Sequence, residues 1–271
     1  MSRVRMMKWV AVGGMAVALG CGGKSPDASA TTQHASQSND APMQLAQAPA
    51  DAAPAAALGS ATISGSIKFS GTAPAPEKIK MDADPQCQLQ HSEAVHKQDV
   101  VINGNGTLKN VFVYVKQGLE GKTFPSPTQA AKLEQKGCLY APHVLGVQVN
   151  QPLEIINDDQ TLHNVNCKAV NSKPFNVAQP MQGMKSTKSF SAPEIMVKCV
   201  CNVHPWMASY VGVSSSPFFS VSGDDGGFTI AGLPAGQYTL EAWHEKYGTQ
   251  TQTVTVADGQ TQQVSFEFKA Q

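Results

Sequence analysis

The sequence lacks the motifs by which many enzymes and nucleic-acid-binding proteins are identified. Its 271 residues contain no Gly-x-Ser-x-Gly elbow, no phosphate-binding glycine loop and no His-Glu-x-x-His pair. Basic and acidic side chains number 20 each, so no excess of positive charge favours nucleic acid or an anionic membrane surface. We therefore expect neither an enzyme nor a nucleic-acid-binding protein.

Helical periodicity is also scarce. Residues 128–136 are the one stretch for which we expect a short helix. Elsewhere after residue 60 the chain is rich in Val, Thr, Gly and Pro. Apolar and polar residues alternate in 61–69, and 111–115 is a nearly continuous β run. Such short runs between Gly/Pro turns are typical of strands, so we expect an all-β protein.

The N-terminus carries the features of an export signal. Three basic residues among the first eight precede an apolar run at 9–19, which is too short to span a bilayer. The run ends at Ala18-Leu19-Gly20-Cys21, which resembles the bacterial lipobox. We expect 1–20 to be a signal peptide and Cys21 to be lipidated, the alternative being an ordinary signal peptide cleaved nearby.

Residues 21–60 contain hardly any large apolar side chain. Such a segment cannot bury enough surface to offset the entropy of ordering it, so we expect a disordered linker behind the lipid. The protein is then periplasmic or at the cell surface, held to a membrane, the outer one, by its lipid alone.

The C-terminal part, 217–271, resembles the carboxypeptidase regulatory-like (transthyretin-like) β-sandwich. The resemblance rests on the runs at 226–230, 233–240 and 254–259. The N-terminal β region, 61–131, begins with a segment that resembles the opening strand of the same module. The two regions are therefore candidates for a single split sandwich.

The chemistry of the chain is concentrated at 199–207. Cys201, His204 and Met207 follow one another at a spacing of three, so a thiolate, an imidazole and a thioether can converge on one ion. Two His, one Cys and a weak Met are the ligands of a blue-copper site. The second histidine must come from elsewhere, and His163 is the candidate.

His163-Asn164-Val165 upstream of this ligand loop resembles the cupredoxins, particularly the amicyanin type, over 132–214. The resemblance implies a Greek-key β-sandwich packed with the transthyretin-like one. It also implies one copper ion with His163, Cys201 and His204 as equatorial ligands and Met207 as the axial ligand. Asn164 would tie the His163 segment to the ligand loop.

Within that resemblance, the His204 imidazole, Pro205 and Trp206 would form an apolar surface patch where redox partner proteins dock. Cys21 takes lipid and Cys201 copper, which leaves four cysteines and three possible pairings. The cupredoxin strand order implies that Cys167 pairs with Cys199, which leaves Cys87 for Cys138.

Other interpretations remain open. Cys201 could form a disulfide, zinc could replace copper, or Cys199 and Cys201 could together bind a dinuclear copper centre. Structural or surface roles are expected for His91, His96, His143 and His244. The leading hypothesis is a mononuclear type 1 copper electron carrier. The alternatives are a copper storage or delivery lipoprotein that transfers no electrons and a surface scaffold protein without metal.

Overall fold

The computed structural model describes residues 58–270, and almost all of its regular structure is β. The strands are β1 (Ala61–Ser70), β2 (Phe112–Gln117), β3 (Ala131–Lys136), β4 (Leu139–Ala141), β5 (Val144–Gln148), β6 (Leu153–Asn157), β7 (His163–Cys167), β8 (Phe175–Gln179), β9 (Lys185–Lys188), β10 (Glu194–Val200), β11 (Ala208–Ser214), β12 (Phe219–Val221), β13 (Gly227–Leu233), β14 (Gly236–His244), β15 (Gly248–Val256) and β16 (Thr261–Lys269). A short helix, α1, spans Pro85–Gln88. The all-β prediction is confirmed.

The helix expected at 128–136 is wrong, because this segment contains strand β3. β3 pairs in parallel with β6, and Leu133 lies opposite Ile155. Leu133 and Gln135 are fully buried while Lys132 and Lys136 are exposed. Burial thus follows the two-residue period of a strand, which the polar composition of the segment conceals.

Two sheets enclose a first core, and we call this body the first sandwich. Their strand orders are β13-β1-β16 and β12-β2-β14-β15. β1 pairs antiparallel with β13 and in parallel with β16. Strands from 61–131 and strands from 217–271 therefore share both sheets, the arrangement considered above for one split sandwich.

A second sandwich lies between these two parts of the sequence. Its sheets have the orders β5-β11-β10-β7-β8 and β4-β3-β6-β9. Its core also takes in Ile79, Met81 and Cys87, which belong to the connection between β1 and β2. The sequence analysis placed 78–91 in the N-terminal β region, whereas the structure packs this segment onto the second sandwich.

The two sandwiches meet where aromatic rings lie over glycines. Gly146 of β5 pairs with Gly212 of β11. A Cβ atom on Gly146 would lie 2.4 Å from the Phe219 ring and 2.9 Å from the Phe112 ring, and one on Gly212 would lie 2.7 Å from Phe112. The rings can approach this closely only because neither glycine has a side chain.

The predicted signal peptide, Cys21 and all of the linker before residue 58 lie outside the described residues. Within the part that the structure describes, no helix is long and apolar enough to cross a membrane.

We predict that Gly146→Ala lowers the free energy of unfolding by about 1–3 kcal/mol, because the added methyl group forces two packed rings apart. Thermal or denaturant unfolding measures the loss. Gly104→Ala is the matched control, since a Cβ there meets nothing within 4 Å. Equal stability of the two variants would contradict the close packing of the rings on Gly146.

Candidate metal centre

The predicted ligands come from two segments that the second sandwich brings together. His163 is the first residue of β7, Cys201 directly follows β10, and Met207 directly precedes β11. β7 and β10 are neighbouring antiparallel strands. The four predicted ligands, His163, Cys201, His204 and Met207, are buried, with exposed fractions of 0, 3, 2 and 1%.

The donor atoms are close enough to share one ion. The Nδ1 atoms of His163 and His204 are 2.9 Å apart, and the Cys201 Sγ lies 3.9 Å from the His204 Nδ1. Metal–nitrogen and metal–sulfur bonds are about 2.0–2.1 and about 2.3 Å in protein zinc sites. The sums of these lengths exceed both distances, and the donor atoms of the three residues all lie within 4.8 Å of one another, so a single ion can bind all three.

The loop between β10 and β11 is closed by its own backbone. The amide of Cys201 donates to the carbonyl of Met207 at 3.2 Å, and the amide of Met207 donates to the carbonyl of His204 at 2.9 Å. The amide of His204 lies 3.4 Å from the Cys201 Sγ. One tight turn therefore supplies the thiol, the imidazole and the thioether.

Asn164 links the two ligand segments, which is the role that the cupredoxin resemblance implied. Its Oδ1 accepts a hydrogen bond from the backbone amide of Asn202 at 2.8 Å and lies 3.5 Å from the Cys201 Sγ. The Tyr140 hydroxyl donates to the Asn164 carbonyl oxygen. The strand that carries His163 is thereby held at a fixed distance from the ligand loop.

Asp159 orients His163. Its Oδ2 lies 2.8 Å from the His163 Nε2, and its two oxygens accept hydrogen bonds from the amides of Gly137 and Cys138 at 2.7 and 2.8 Å. The carboxylate is 1% exposed. Sequence reasoning did not identify this contact, because no motif marks an aspartate four residues before a histidine.

His204 does not lie on the surface, so the predicted patch at its imidazole is wrong. The His204 Nε2 lies 2.9 Å from the Asp84 Oδ2 and 3.5 Å from the Cys87 Sγ. Asp84 and Cys87 belong to the 78–91 segment, which covers the ring. Pro205 remains exposed, and Trp206 is partly buried with its Nε1 donating to the Cys138 carbonyl at 2.9 Å.

These contacts fix the protonation of both rings. Each Nε2 faces a carboxylate, which accepts hydrogen bonds only, so each Nε2 carries a proton. The Nδ1 lone pairs of His163 and His204 then point at one another across 2.9 Å. Two lone pairs at that separation repel unless a cation or a shared proton lies between them.

Hydrogen bonds within the centre shift the pKa values of His163 and Cys201. Burial lowers the pKa of His163, but hydrogen bonds with Asp159 and Cys201 outweigh it and raise the pKa to about 9. Burial raises the pKa of Cys201, but the His163 hydrogen bond and nearby backbone amides lower it to about 6. At neutral pH the metal-free centre is therefore an imidazolium beside a thiolate.

Both disulfides have the pairing implied above. Cys87 is bonded to Cys138, and Cys167 to Cys199. Cys201 is the free cysteine of residues 58–270. Cys199 is thus unavailable to a metal, and the dinuclear interpretation has no second thiolate.

His91, His143 and His244 make structural contacts, whereas His96 is exposed. The His91 Nε2 lies 2.7 Å from the Gly137 carbonyl, and the His143 ring bonds the Glu245 carboxylate. His244 is 1% exposed and its ring stacks on Tyr247. Within residues 58–270, none of these rings joins a cluster of three potential metal ligands.

We predict that thiolate absorbance of the metal-free protein titrates with a midpoint at about pH 6, well below the usual range of a thiol. Asp159→Asn should move this midpoint upward, because His163 loses the carboxylate that keeps it protonated and cationic beside the sulfur. Cys201→Ser is the control and should remove this transition. A wild-type midpoint in the alkaline range would contradict the ion pair.

Three solved structures are similar to parts of this chain. A copper-containing nitrite reductase from Thermus scotoductus SA-01 is 21% identical with a TM-score of 0.31, and the match covers 35% of this chain and 24% of that chain. The present chain thus spans about a quarter of that enzyme. A purple cupredoxin from Nitrosopumilus maritimus is 26% identical with a TM-score of 0.27, covering 31% of this chain and 99% of that chain.

A mutant of amicyanin is 22% identical with a TM-score of 0.28, covering 31% of this chain and 82% of that chain. A search of curated proteins found no match. Residues 211–269 match the family model of the carboxypeptidase regulatory-like domain, as the sequence predicted for 217–271.

Proposed function

We propose that this protein binds one copper ion through His163, Cys201 and His204 and carries electrons. The observation that carries the proposal is the convergence of the His163 and His204 Nδ1 atoms, 2.9 Å apart, beside the buried Cys201 sulfur. Two imidazole nitrogens and a sulfur that converge in this way can bind one cation together. Met207, buried at the end of the same loop, would supply a fourth and weaker ligand.

The donor set favours copper among the common metals. A thiolate and two imidazoles suit both zinc and copper, but a thioether is a soft ligand that zinc sites rarely use. The four donors of the proposed set also leave no open position of the kind that a catalytic zinc retains for water or substrate.

Burial of the centre favours electron transfer over catalysis. All four proposed ligands are at most 3% exposed, so a substrate has no direct access to the ion. When bound, copper would supply a one-electron couple between its two common oxidation states. The surrounding hydrogen bonds on both imidazoles and the closed loop hold the donors in one geometry, which keeps the rearrangement on electron transfer small.

The partner and the location belong to the same proposal. With His204 covered, a redox partner protein would approach at Pro205 and Trp206. The Trp206 ring centre lies 5.1 Å from that of His204, so it offers a short route from the surface to a ligand. The protein would work outside the cytoplasm on a lipid anchor, and it would not act as an enzyme.

We predict that Cu(II) added to the metal-free protein, with the Cys201 thiol reduced, gives an intense blue or green thiolate-to-copper band at one ion per chain. Cys201→Ser should abolish the band, because the sulfur supplies the transferred charge. His96→Ala is the matched control and should keep it, since this histidine lies outside the centre. A colourless wild-type complex, or a band that survives Cys201→Ser, would contradict the proposal.

Voltammetry of the same complex separates an electron carrier from a storage or delivery protein. We expect reversible one-electron cycling with the copper retained in both states. Loss of the ion on reduction would instead support delivery.

A further inference from the structure

Each histidine of the proposed copper site has a carboxylate beside its Nε2 atom, the ring nitrogen that would face away from the ion. The His163 Nε2 lies 2.8 Å from the Asp159 carboxylate, and the His204 Nε2 lies 2.9 Å from the Asp84 carboxylate. The histidine rings are 0 and 2% exposed. Water therefore has little access to either ring, and the Asp84 carboxylate is the more exposed of the two acceptors, at 21%.

The Asp84 carboxylate is fixed from three directions. Its Oδ1 accepts a hydrogen bond from the Gln86 amide at 2.9 Å and so caps helix α1. Its Oδ2 faces His204 and also accepts from the Thr161 hydroxyl at 3.2 Å. Helix α1 thus presents one oxygen to the histidine in a defined orientation.

The supports of the two carboxylates are covalently joined. Cys87 of helix α1 is bonded to Cys138, and the amides of Gly137 and Cys138 bind Asp159. One disulfide therefore ties the segment that holds Asp84 to the turn that holds Asp159. The two anions are set at the outer edges of the two imidazoles as parts of one framework.

We propose that Asp84 and Asp159 are positioning residues that lower the reduction potential of the copper centre, an inference that rests on the proposed function. A carboxylate that accepts the Nε2 proton makes the imidazole a stronger donor at Nδ1. The negative charges of the buried Asp159 and the partly buried Asp84 also favour the more positive oxidation state of the ion and oppose the addition of an electron. Both effects stabilise Cu(II) more than Cu(I).

The test replaces each carboxylate by a neutral isostere in the full-length, copper-loaded protein. Asp84→Asn and Asp159→Asn should each raise the midpoint potential measured by voltammetry. The Cu(II) dissociation constant should rise by about 10- to 100-fold, the range for partners of metal-bound histidines, with a smaller change for Cu(I). If the carboxylates had a purely structural role, the substitutions would weaken the binding of Cu(II) and Cu(I) equally and leave the potential unchanged.

Asp82→Asn and Asp158→Asn are the matched controls, since they remove the same charge close by without a side-chain hydrogen bond to either histidine. Shifts no larger than those of the controls overturn the inference. Asp84 is 21% exposed, so its variant tests the inference alone if Asp159→Asn does not fold. A wild-type complex without a thiolate-to-copper band overturns the proposed function, whereas an intact band with unshifted potentials overturns this inference alone.

A measurement without copper tests the geometry itself. Nitrogen NMR of the metal-free protein should find the Nε2 atoms of both His163 and His204 protonated. A neutral His204 with its proton on Nδ1 would overturn the inference, because Asp84 would then not hold that ring.

Discussion

The two imidazoles of His163 and His204 are held so that their Nδ1 atoms face one another at 2.9 Å, and the rest of the centre depends on this constraint. It arises because a carboxylate on the far side of each ring accepts a hydrogen bond from the Nε2 atom. The space between the rings then favours positive charge, and the Cys201 thiolate beside it adds to that preference. A proton can occupy this space without metal, and a soft cation can replace it.

The fold supplies the constraint through cross-links rather than through one local motif. The Cys167–Cys199 disulfide joins β7 to β10 close to the ligands, and the Cys87–Cys138 disulfide pins helix α1 over His204. In the chain-entropy picture such bridges act by restricting the unfolded chain, and here they also fix groups that contact the ligands. The first sandwich packs against the second through aromatic rings over Gly146 and Gly212.

Sequence reasoning succeeded where the determining residues are close together in the chain. The spacing of Cys201, His204 and Met207 defines one turn, and alternating runs such as 61–69 define strands. It failed at 128–136, where polar residues on a two-residue period resemble a helix surface. It also failed at His204, because the cover comes from Asp84 and Cys87, more than a hundred residues earlier, and only the folded chain brings them to the ring.

The most direct test of the copper-centre account is a crystal structure of the copper-loaded protein. The account predicts one ion bonded to the Nδ1 atoms of His163 and His204 and to the Sγ of Cys201, with both Nε2 atoms still on their carboxylates. Copper bound through an Nε2 atom, or at any place away from the Cys201 sulfur, would contradict it.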